Sequence, residues 1–377
     1  MRMRIYPAAL LATLLLVCSS CDEKEPLGPP QGKVEVSITT GELPTRAPSG
    51  DPADGGGIIV DGTTGKPDLV IAIANSGGSL VAWYPDGFFG SMSNDYSSEC
   101  NTTLTDATTS TVFFTGLLRA NGPYTVYAVA NTAGLPSGVL NSLKACTTAD
   151  QMNDFQLSVA SGQPAFEDGS HNECMPITAK GTLNVLASGN GHVDLQLLRP
   201  VARISVTFKN ETGDDDLEVH ACNVVIGDIN PSRGYLFQRS PDEVTGYGRN
   251  IGMDAPVISG DDKLIFDAQN KSTLGTVQVF PSVAPPRQVG SRYLCTISFR
   301  ITKNEQAYNS GDSSTYDEYS FPDLPIHDSR SSDILYLSRN QHLKIETRIT
   351  KQAGQHDYSF NFEVQNWDSK DNYMTFD

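Results

Sequence analysis

The feature that most constrains the fold of this chain is a short alternation of apolar and polar residues that recurs along its length. In one such run the apolar side chains occupy every second position, namely Tyr293, Cys295, Ile297, Phe299 and Ile301. A period of two places these side chains on one face of a β-strand. Because similar runs are separated by turn-forming segments in a chain with 33 Gly and 22 Pro, we expect an all-β fold of antiparallel sheets packed face to face.

Alternating or continuous apolar runs predict where the strands lie. In the first half we expect strands at 33–39, 68–74, 79–84, 111–117, 124–130, 182–186 and 193–198, with a helical turn around 141–144. In the second half we expect strands at 202–208, 217–226, 234–238, 263–266, 276–280, 292–302, 342–350 and 358–364. The segment Asn75-Ser76-Gly77-Gly78 between two of these runs predicts a hairpin turn.

Length and one proline indicate how the chain is divided. A chain of 377 residues is long enough for two domains with full cores. Pro200 lies between two strand-like runs and cannot donate a ladder hydrogen bond. We therefore expect an N-terminal β-sandwich domain at residues 33–200 and a C-terminal one at residues 201–377.

The first residues have the pattern of an export signal. Arg2 and Arg4 precede an apolar stretch at 8–17, and two cysteines follow. A stretch of about ten apolar residues is too short to span a bilayer as a helix, so it fits a cleaved signal. A lipoprotein signal peptidase needs a small residue before the acceptor cysteine. Ser20 before Cys21 meets this need and Val17 before Cys18 does not. We predict a signal peptide at 1–21, a lipid on Cys21 and a flexible tether at 22–32.

Charge and cysteine content narrow the function further. The formal net charge of −17 becomes −19 once Arg2 and Arg4 leave with the signal, which argues against nucleic-acid partners and against electrostatic binding to anionic lipid. The cysteines beyond Cys21 have irregular spacings without a zinc or redox motif. A disulfide is possible but its pairing is not predictable. For Cys222 and Cys295, inside strand-like runs, buried free thiols are the favoured interpretation.

No pattern of catalytic residues is evident. The sequence has no Gly-x-Ser-x-Gly elbow, no glycine-rich phosphate loop before a helix and no His-Glu-x-x-His segment. We therefore predict that the chain is not an enzyme and that it has no cofactor and no metal site.

Six segments, in order, resemble the fimbrillin family of Bacteroidota, the lipoprotein-derived pilins and their accessory subunits. They are the strand at 34–38 followed by Thr45-Arg46-Ala47, the run at 68–73 before a Gly turn, Tyr124–Asn131, Met175–Thr178, Leu198–Ile204, and Leu337–Asn340 with Trp367 near the end. Each segment is weak alone. Their common order behind a lipoprotein signal makes the resemblance specific.

The resemblance implies two transthyretin-like β-sandwich domains in tandem and a structural or adhesive subunit of a surface fimbria. It also implies that an Arg-specific protease cuts the loop after the first strand, here between Arg46 and Ala47. Val34, Val36 and Ile38 would then be the withdrawn plug, and a strand from another fimbrial subunit would take their place. Before cleavage, the lipid on Cys21 would hold the protein on the outer membrane, exposed at the cell surface, where a host or bacterial surface ligand is a further expected partner.

Several alternatives stay open. If the chain is not cut, it is a membrane-retained fimbrial anchor or a stand-alone surface lipoprotein. The segment Tyr373–Phe376 is either a donor strand or a last edge strand, so the sequence does not assign a stalk, tip or anchor role. A glycan-binding lipoprotein would use exposed aromatic residues as stacking platforms, with Trp83, Tyr84, Phe88 and Phe89 as the candidates. A glycosidase is a more distant alternative.

Overall fold

The structure is a computed structural model of the full chain. It describes fourteen segments of the chain. They are residues 33–40, 68–84, 87–88, 99–104, 109–115, 123–158, 175–226, 233–237, 255–260, 262–280, 294–303, 307–326, 339–352 and 355–366.

The described residues form nineteen strands and few helices. The strands of the first half are β1 (Lys33–Thr40), β2 (Leu69–Ala74), β3 (Leu80–Tyr84), β4 (Gly87–Phe88), β5 (Glu99–Leu104), β6 (Thr109–Thr115), β7 (Pro123–Ala130), β8 (Gln156–Ser158), β9 (Ile177–Val185) and β10 (Gly191–Leu197). Those of the second half are β11 (Ala202–Glu211), β12 (Val219–Ile226), β13 (Arg233–Tyr235), β14 (Ala255–Gly260), β15 (Lys271–Val279), β16 (Leu294–Thr302), β17 (Tyr316–Pro325), β18 (Gln341–Gln352) and β19 (Gln355–Asn366). The helical elements are a 3₁₀ turn (Thr132–Gly134), α1 (Val139–Lys144) and α2 (Ala149–Asn153).

Hydrogen bonding groups these strands into four sheets. One sheet of nine strands has the order β4-β3-β2-β7-β9-β10-β1-β6-β5, and all of its strands come from the first half of the chain. Two sheets of four strands have the orders β15-β11-β18-β19 and β14-β12-β16-β17. The fourth sheet pairs β13 with β8 and so joins the two halves of the sequence.

The nine-stranded sheet encloses the first core. Alternate residues of β2 and β7, such as Ile71, Ile73 and Val126, pack in one buried cluster with residues of β1 and β10. Strand β9 links the two groups, because it pairs with β7 along most of its length and with β10 near its end. At this bend Gly181 lies so close to β10 that an added Cβ atom would be 2.4 Å from a methyl carbon of Leu195.

The two four-stranded sheets enclose the second core. Its buried side chains are the alternating residues of β11, β12, β16 and β18, which the sequence pattern assigns to one face of each strand. Phe208 and Phe299 meet edge to face at a ring-centroid distance of 5.4 Å. Tyr358 of β19 contacts Tyr319 and Phe321 of β17. Aromatic rings therefore link the edge strands of the two four-stranded sheets.

A third cluster lies between these cores. The second face of β2 and β7, with Ala72, Tyr127 and Val129, is also buried, and it packs with the two α-helices and with Val201, Leu236, Phe237 and Phe280 from the second half. The ring of Phe237 meets that of Tyr127 edge to face at 5.0 Å. Burial on both faces explains why β2 reads as a continuous apolar run, Leu-Val-Ile-Ala-Ile-Ala, without alternation.

Several expectations are confirmed. The predicted hairpin joins β2 to β3, where the Gly78 amide donates to the Asn75 carbonyl at 2.9 Å and Gly78 has a φ of +81°. The predicted helical turn around 141–144 lies within α1.

Other expectations are wrong. Two strand pairs are parallel, β1 with β10 and β11 with β18, so the sheets are not purely antiparallel. Residues 263–266 form no strand, and Ile265 within them is 82% exposed.

No described helix is long and apolar enough to cross a membrane.

Candidate functional site

Strand β1 is the candidate site because of where it lies in the first sheet. It pairs in parallel with β10 on one side, with Val36 opposite Val193, and antiparallel with β6 on the other, with Val36 opposite Val112. Its two neighbours come from sequence positions more than seventy residues away. The first described strand of the chain therefore fills a gap between two strands that do not pair with each other.

The plug residues that the sequence predicts all face the first core. Val34, Val36 and Ile38 are each 0% exposed and belong to the same buried cluster as Val193 and Leu195 of β10. Burying one aliphatic side chain of this size stabilises a fold by about 1.5–3 kcal/mol. Removing β1 would expose this apolar cluster and would leave backbone N–H and C=O groups of β6 and β10 unpaired.

The opposite face of β1 carries a charged contact with β10. Glu35 lies directly opposite His192 in the register, and the Glu35 Oε1 atom is 3.9 Å from His192 Nδ1. The other ring nitrogen of His192 is 3.0 Å from Asp194 Oδ1. These side chains are 40% (Glu35), 50% (His192) and 75% (Asp194) exposed, so the contact is a surface one.

The C-terminal end of β1 lies at the end of the first sheet that is near the second half of the chain. Thr40 is opposite Leu197, and the next residue of that segment, Leu198, exchanges two backbone hydrogen bonds with Thr178 at 2.8 and 3.0 Å. The chain returns to the described structure at Asp68, whose carbonyl accepts from the Asn131 amide at 2.9 Å. Thr40 and Asp68, which flank segment 41–67, therefore lie at the same end of the sheet. Arg46 and Ala47 lie in that segment, outside the described residues.

Two arginines cross between the halves next to this end. The Arg339 guanidinium donates to Thr178 Oγ1 at 2.8 Å and to the Leu236 carbonyl at 2.7 Å. Arg199, which is 1% exposed, donates to Asn340 Oδ1 at 2.8 Å. Burial lowers the pKa of the Arg339 guanidinium to about 9, which still leaves it charged at neutral pH.

Two asparagines complete the same region. Asn131 and Asn340 adopt positive φ angles of 59° and 58°, a conformation that non-glycine residues rarely adopt and that Asn tolerates best. The Asn131 side chain donates to the Met175 carbonyl at 3.1 Å, and the Asn340 amide donates to the Val201 carbonyl at 2.9 Å. These asparagines and the two arginines belong to sequence motifs of the resemblance, but the sequence analysis assigns them no role. The signal that could have identified them is an Asn or Arg placed directly after or before an apolar strand.

The structure brings together some predicted site residues and places others elsewhere. Val34, Val36 and Ile38 share one buried face, whereas Cys21, Arg46 and Ala47 lie outside the described residues. Trp83 and Tyr84 are only 2% and 4% exposed, so neither offers the exposed ring face that the alternative glycan-stacking role needs. The Phe88 side chain and Phe89 lie outside what the structure describes.

Cysteines and acidic residues are the remaining groups that could support chemistry. Cys222 and Cys295 are free and buried, as predicted, and burial raises the pKa of each thiol to about 12. Within the described segments, no group of three or more His, Cys, Asp or Glu side chains is arranged to hold a metal ion.

The sequence matches no protein-family model and no curated protein. Solved structures do match. A "putative cell adhesion protein" from Parabacteroides distasonis is 12% identical, with 89% of this chain and 97% of that chain covered and a TM-score of 0.54. A protein of the same description from Bacteroides eggerthii is 14% identical, with 89% and 96% covered and a TM-score of 0.50.

A third match is the tip fimbrial protein Mfa3 from Porphyromonas gingivalis, 12% identical, with 90% of this chain and 100% of that chain covered. Its TM-score of 0.43 is too low to carry a structural argument. All three identities are far below 25%, so the likeness concerns the fold alone. The chain therefore shares its fold with the two adhesion proteins of Parabacteroides and Bacteroides.

Proposed function

We propose that this chain is a non-enzymatic structural or adhesive subunit of a bacterial surface fimbria, and that β1 is a removable strand. The observation that carries the proposal is the position of β1. It supplies three side chains with 0% exposure to the first core, and it pairs on both sides with strands distant in sequence. The shared fold with the two adhesion proteins supports the same function.

The proposed assembly step is β-strand addition. After β1 leaves, β6 and β10 present unpaired backbone groups beside an apolar groove. A strand from another subunit then satisfies the backbone through hydrogen bonds and the groove through side chains at alternating positions. The incoming strand restores the contacts that Val34, Val36 and Ile38 make in this structure.

In this proposal, export and proteolytic processing determine when β1 leaves the sheet. In the proposal, Cys21 is lipidated, and the lipid holds the protein at the outer face of the outer membrane. Cleavage between Arg46 and Ala47 then separates the lipidated segment and β1 from the body. Segment 41–67 suits a protease because it connects strands at a sheet end and contains Pro and Gly. A chain that stays uncut would keep its lipid and serve as a membrane-retained anchor.

The proposal also includes two transthyretin-like sandwich domains that meet at Pro200. In its support, the first core draws on residues between 34 and 197 and the second on residues between 202 and 362. The pairing of β8 with β13 and the cluster around Phe237 form the interface between them.

The test is made in the producing bacterium with Arg46→Ala. We expect wild-type cells to yield a ladder of high-molecular-weight species on unboiled gels and the variant to yield a lipidated monomer. Arg249→Ala is the matched control, because it removes an arginine from another segment, and it should leave the ladder intact. A ladder that persists in Arg46→Ala would refute cleavage at this bond as the trigger.

A further inference from the structure

The groove that β1 fills has strict requirements on its inner face. Val34, Val36 and Ile38 are all aliphatic and β-branched, and all have 0% exposure. At the Val34 end, β10 is already in close contact with β9 and has no room for an additional carbon atom. An added Cβ atom on Gly191, which lies opposite Val34, would be 2.9 Å from a methyl carbon of Leu183 and 3.0 Å from the Asn184 carbonyl oxygen. A polar side chain placed at any of these three positions would be buried without a partner.

The outer face adds a charge requirement. His192 lies opposite Glu35, with 3.9 Å between its Nδ1 atom and a carboxylate oxygen of Glu35. Its other nitrogen faces Asp194 at 3.0 Å. When both ring nitrogens of His192 carry a proton, a carboxylate at the Glu35 position attracts the charged ring, whereas a lysine there would repel it. The contact is half exposed, so its effect is modest and sensitive to salt.

The residues after β19 do not meet these requirements. In segment 367–377, Trp-Asp-Ser-Lys-Asp-Asn-Tyr-Met-Thr-Phe-Asp, every set of three alternating positions includes an Asp, an Asn or a Lys. The register with the most apolar character, Asn372, Met374 and Phe376, would bury an amide and place a phenyl ring where a branched aliphatic side chain now fits. Overfilling a packed core in this way is itself unfavourable.

The residues after the proposed cut also lack three branched aliphatic side chains at alternating positions. Segment 47–67 offers Ile58 and Val60 at alternating positions, but a glycine stands at the next alternating position on either side. One of the three side-chain sites would stay empty, and an unfilled site in a core loses both burial and packing.

We infer that the groove selects a strand from a different polypeptide, with branched aliphatic residues at three alternating positions and a carboxylate between the first two, and that segment 367–377 of this chain is not its occupant. This inference rests on the proposed strand exchange. It names the partner by the chemistry of one strand, Φ-acid-Φ-polar-Φ, where Φ is Val or Ile. The strand runs parallel to β10 and antiparallel to β6, as β1 does.

The test uses the full mature chain, folded first and then cut. A variant with a site-specific protease sequence in place of residues 44–48 is purified and cleaved, so that β1 becomes exchangeable without unfolding the body. Fluorescent peptides of residues 33–40 and of residues 370–377 are then added in excess, and their uptake is followed by anisotropy. The control peptide is 33–40 carrying Val36→Asp.

We expect the 33–40 peptide to exchange into the cut protein, and the 370–377 peptide and the Val36→Asp peptide to bind about 100-fold more weakly. A 33–40 peptide carrying Glu35→Lys should bind about two- to fivefold more weakly at low salt and at a pH that protonates both ring nitrogens of His192. That difference should disappear when His192→Ala is introduced into the protein. Binding of the 370–377 peptide within tenfold of the 33–40 peptide would overturn the inference.

The same experiment separates the two proposals. If the 33–40 peptide never exchanges although the cut protein stays folded, the strand exchange itself is wrong. If the 33–40 and 370–377 peptides both exchange well, strand exchange stands and the selection rule fails.

Discussion

Arg339 shows at the residue level how a partly buried charge can join two halves of a chain. Its guanidinium donates to a hydroxyl of β9 and to the carbonyl of Leu236, and both acceptors are at hydrogen-bond distance. Thr178 Oγ1 also donates to that same carbonyl at 2.8 Å. Removing Arg339 would take the charged donor from Thr178 Oγ1 and one of the two donors from the Leu236 carbonyl. A hydrogen bond from a charged group contributes about 1.5–3 kcal/mol.

Arg339→Ala is therefore expected to lower the free energy of unfolding by about 2–3 kcal/mol, measured by urea denaturation. Arg348→Ala is the matched control on the following strand. The Arg348 side chain is 42% exposed and pairs with Glu346 at the surface, so its loss should cost less than about 1 kcal/mol. Equal effects of the two substitutions would contradict the junction role of Arg339.

The buried thiols give a second prediction at this scale. Burial raises the pKa of Cys222 and Cys295 to about 12, so the folded state holds both protons where an unfolded thiol, with a pKa near 8.5, loses them. Their contribution to stability is complete below about pH 8.5 and is lost progressively as the pH rises toward 12.

A thiolate-specific reagent at pH 8 should leave both cysteines unmodified in the folded protein and should modify both in urea. Peptide mapping by mass spectrometry identifies the modified positions. Rapid modification of Cys295 in the folded protein would show that its burial in β16 is not maintained in solution.

At the scale of elements, β1 stabilises the first sheet through one face only. Ile38 lies in the core with 0% exposure, and Ser37 points the other way and is half-buried. Ile38→Ala should lower the free energy of unfolding by about 2–5 kcal/mol, and Ser37→Ala should change it by less than about 0.5 kcal/mol. Urea denaturation of both variants measures the difference. A reversed order would show that β1 is not registered as the structure has it.

Alternation in the sequence predicted the central strands and the edge strand β19, but it missed the edge strands β14 and β17. Strand β16 has the burial pattern that its alternation predicts. Its neighbour β17 was missed because Asp317, Glu318 and two prolines obscure any apolar face, and such residues are what a protected edge strand carries. Residues 263–266 alternate similarly to a strand but are not one, because alternation cannot specify a pairing partner.

Two other features were not predicted from the sequence, one because it has no local signal and one because its local signal was overlooked. The parallel pairing of β1 with β10 joins residues 157 positions apart in the sequence, and no local pattern encodes such a register. Helix α2 did have a local signal that the sequence reasoning overlooked. Thr148 and Gln151 form a capping box, in which the Gln151 amide donates to Thr148 Oγ1 at 3.2 Å.

At the scale of the whole molecule, the site of strand exchange and the junction between the halves are neighbours. Strand β10 is the parallel partner of β1, and two residues beyond its end Arg199 binds Asn340, which directly precedes β18 in the second half. The wall of the proposed groove is therefore fixed by contacts from the second half of the chain. The sequence predicted the plug residues and contains the junction motifs. That the plug strand lies next to the junction follows from tertiary pairing alone.

The mature N-terminus of the protein, taken from intact cells, shows whether β1 is removed during assembly. Intact-mass and N-terminal peptide mass spectrometry on fimbrial material should find a chain that begins at Ala47, without a lipid and without residues 33–40. A fimbrial chain that begins at a lipidated Cys21 and retains β1 would contradict the account.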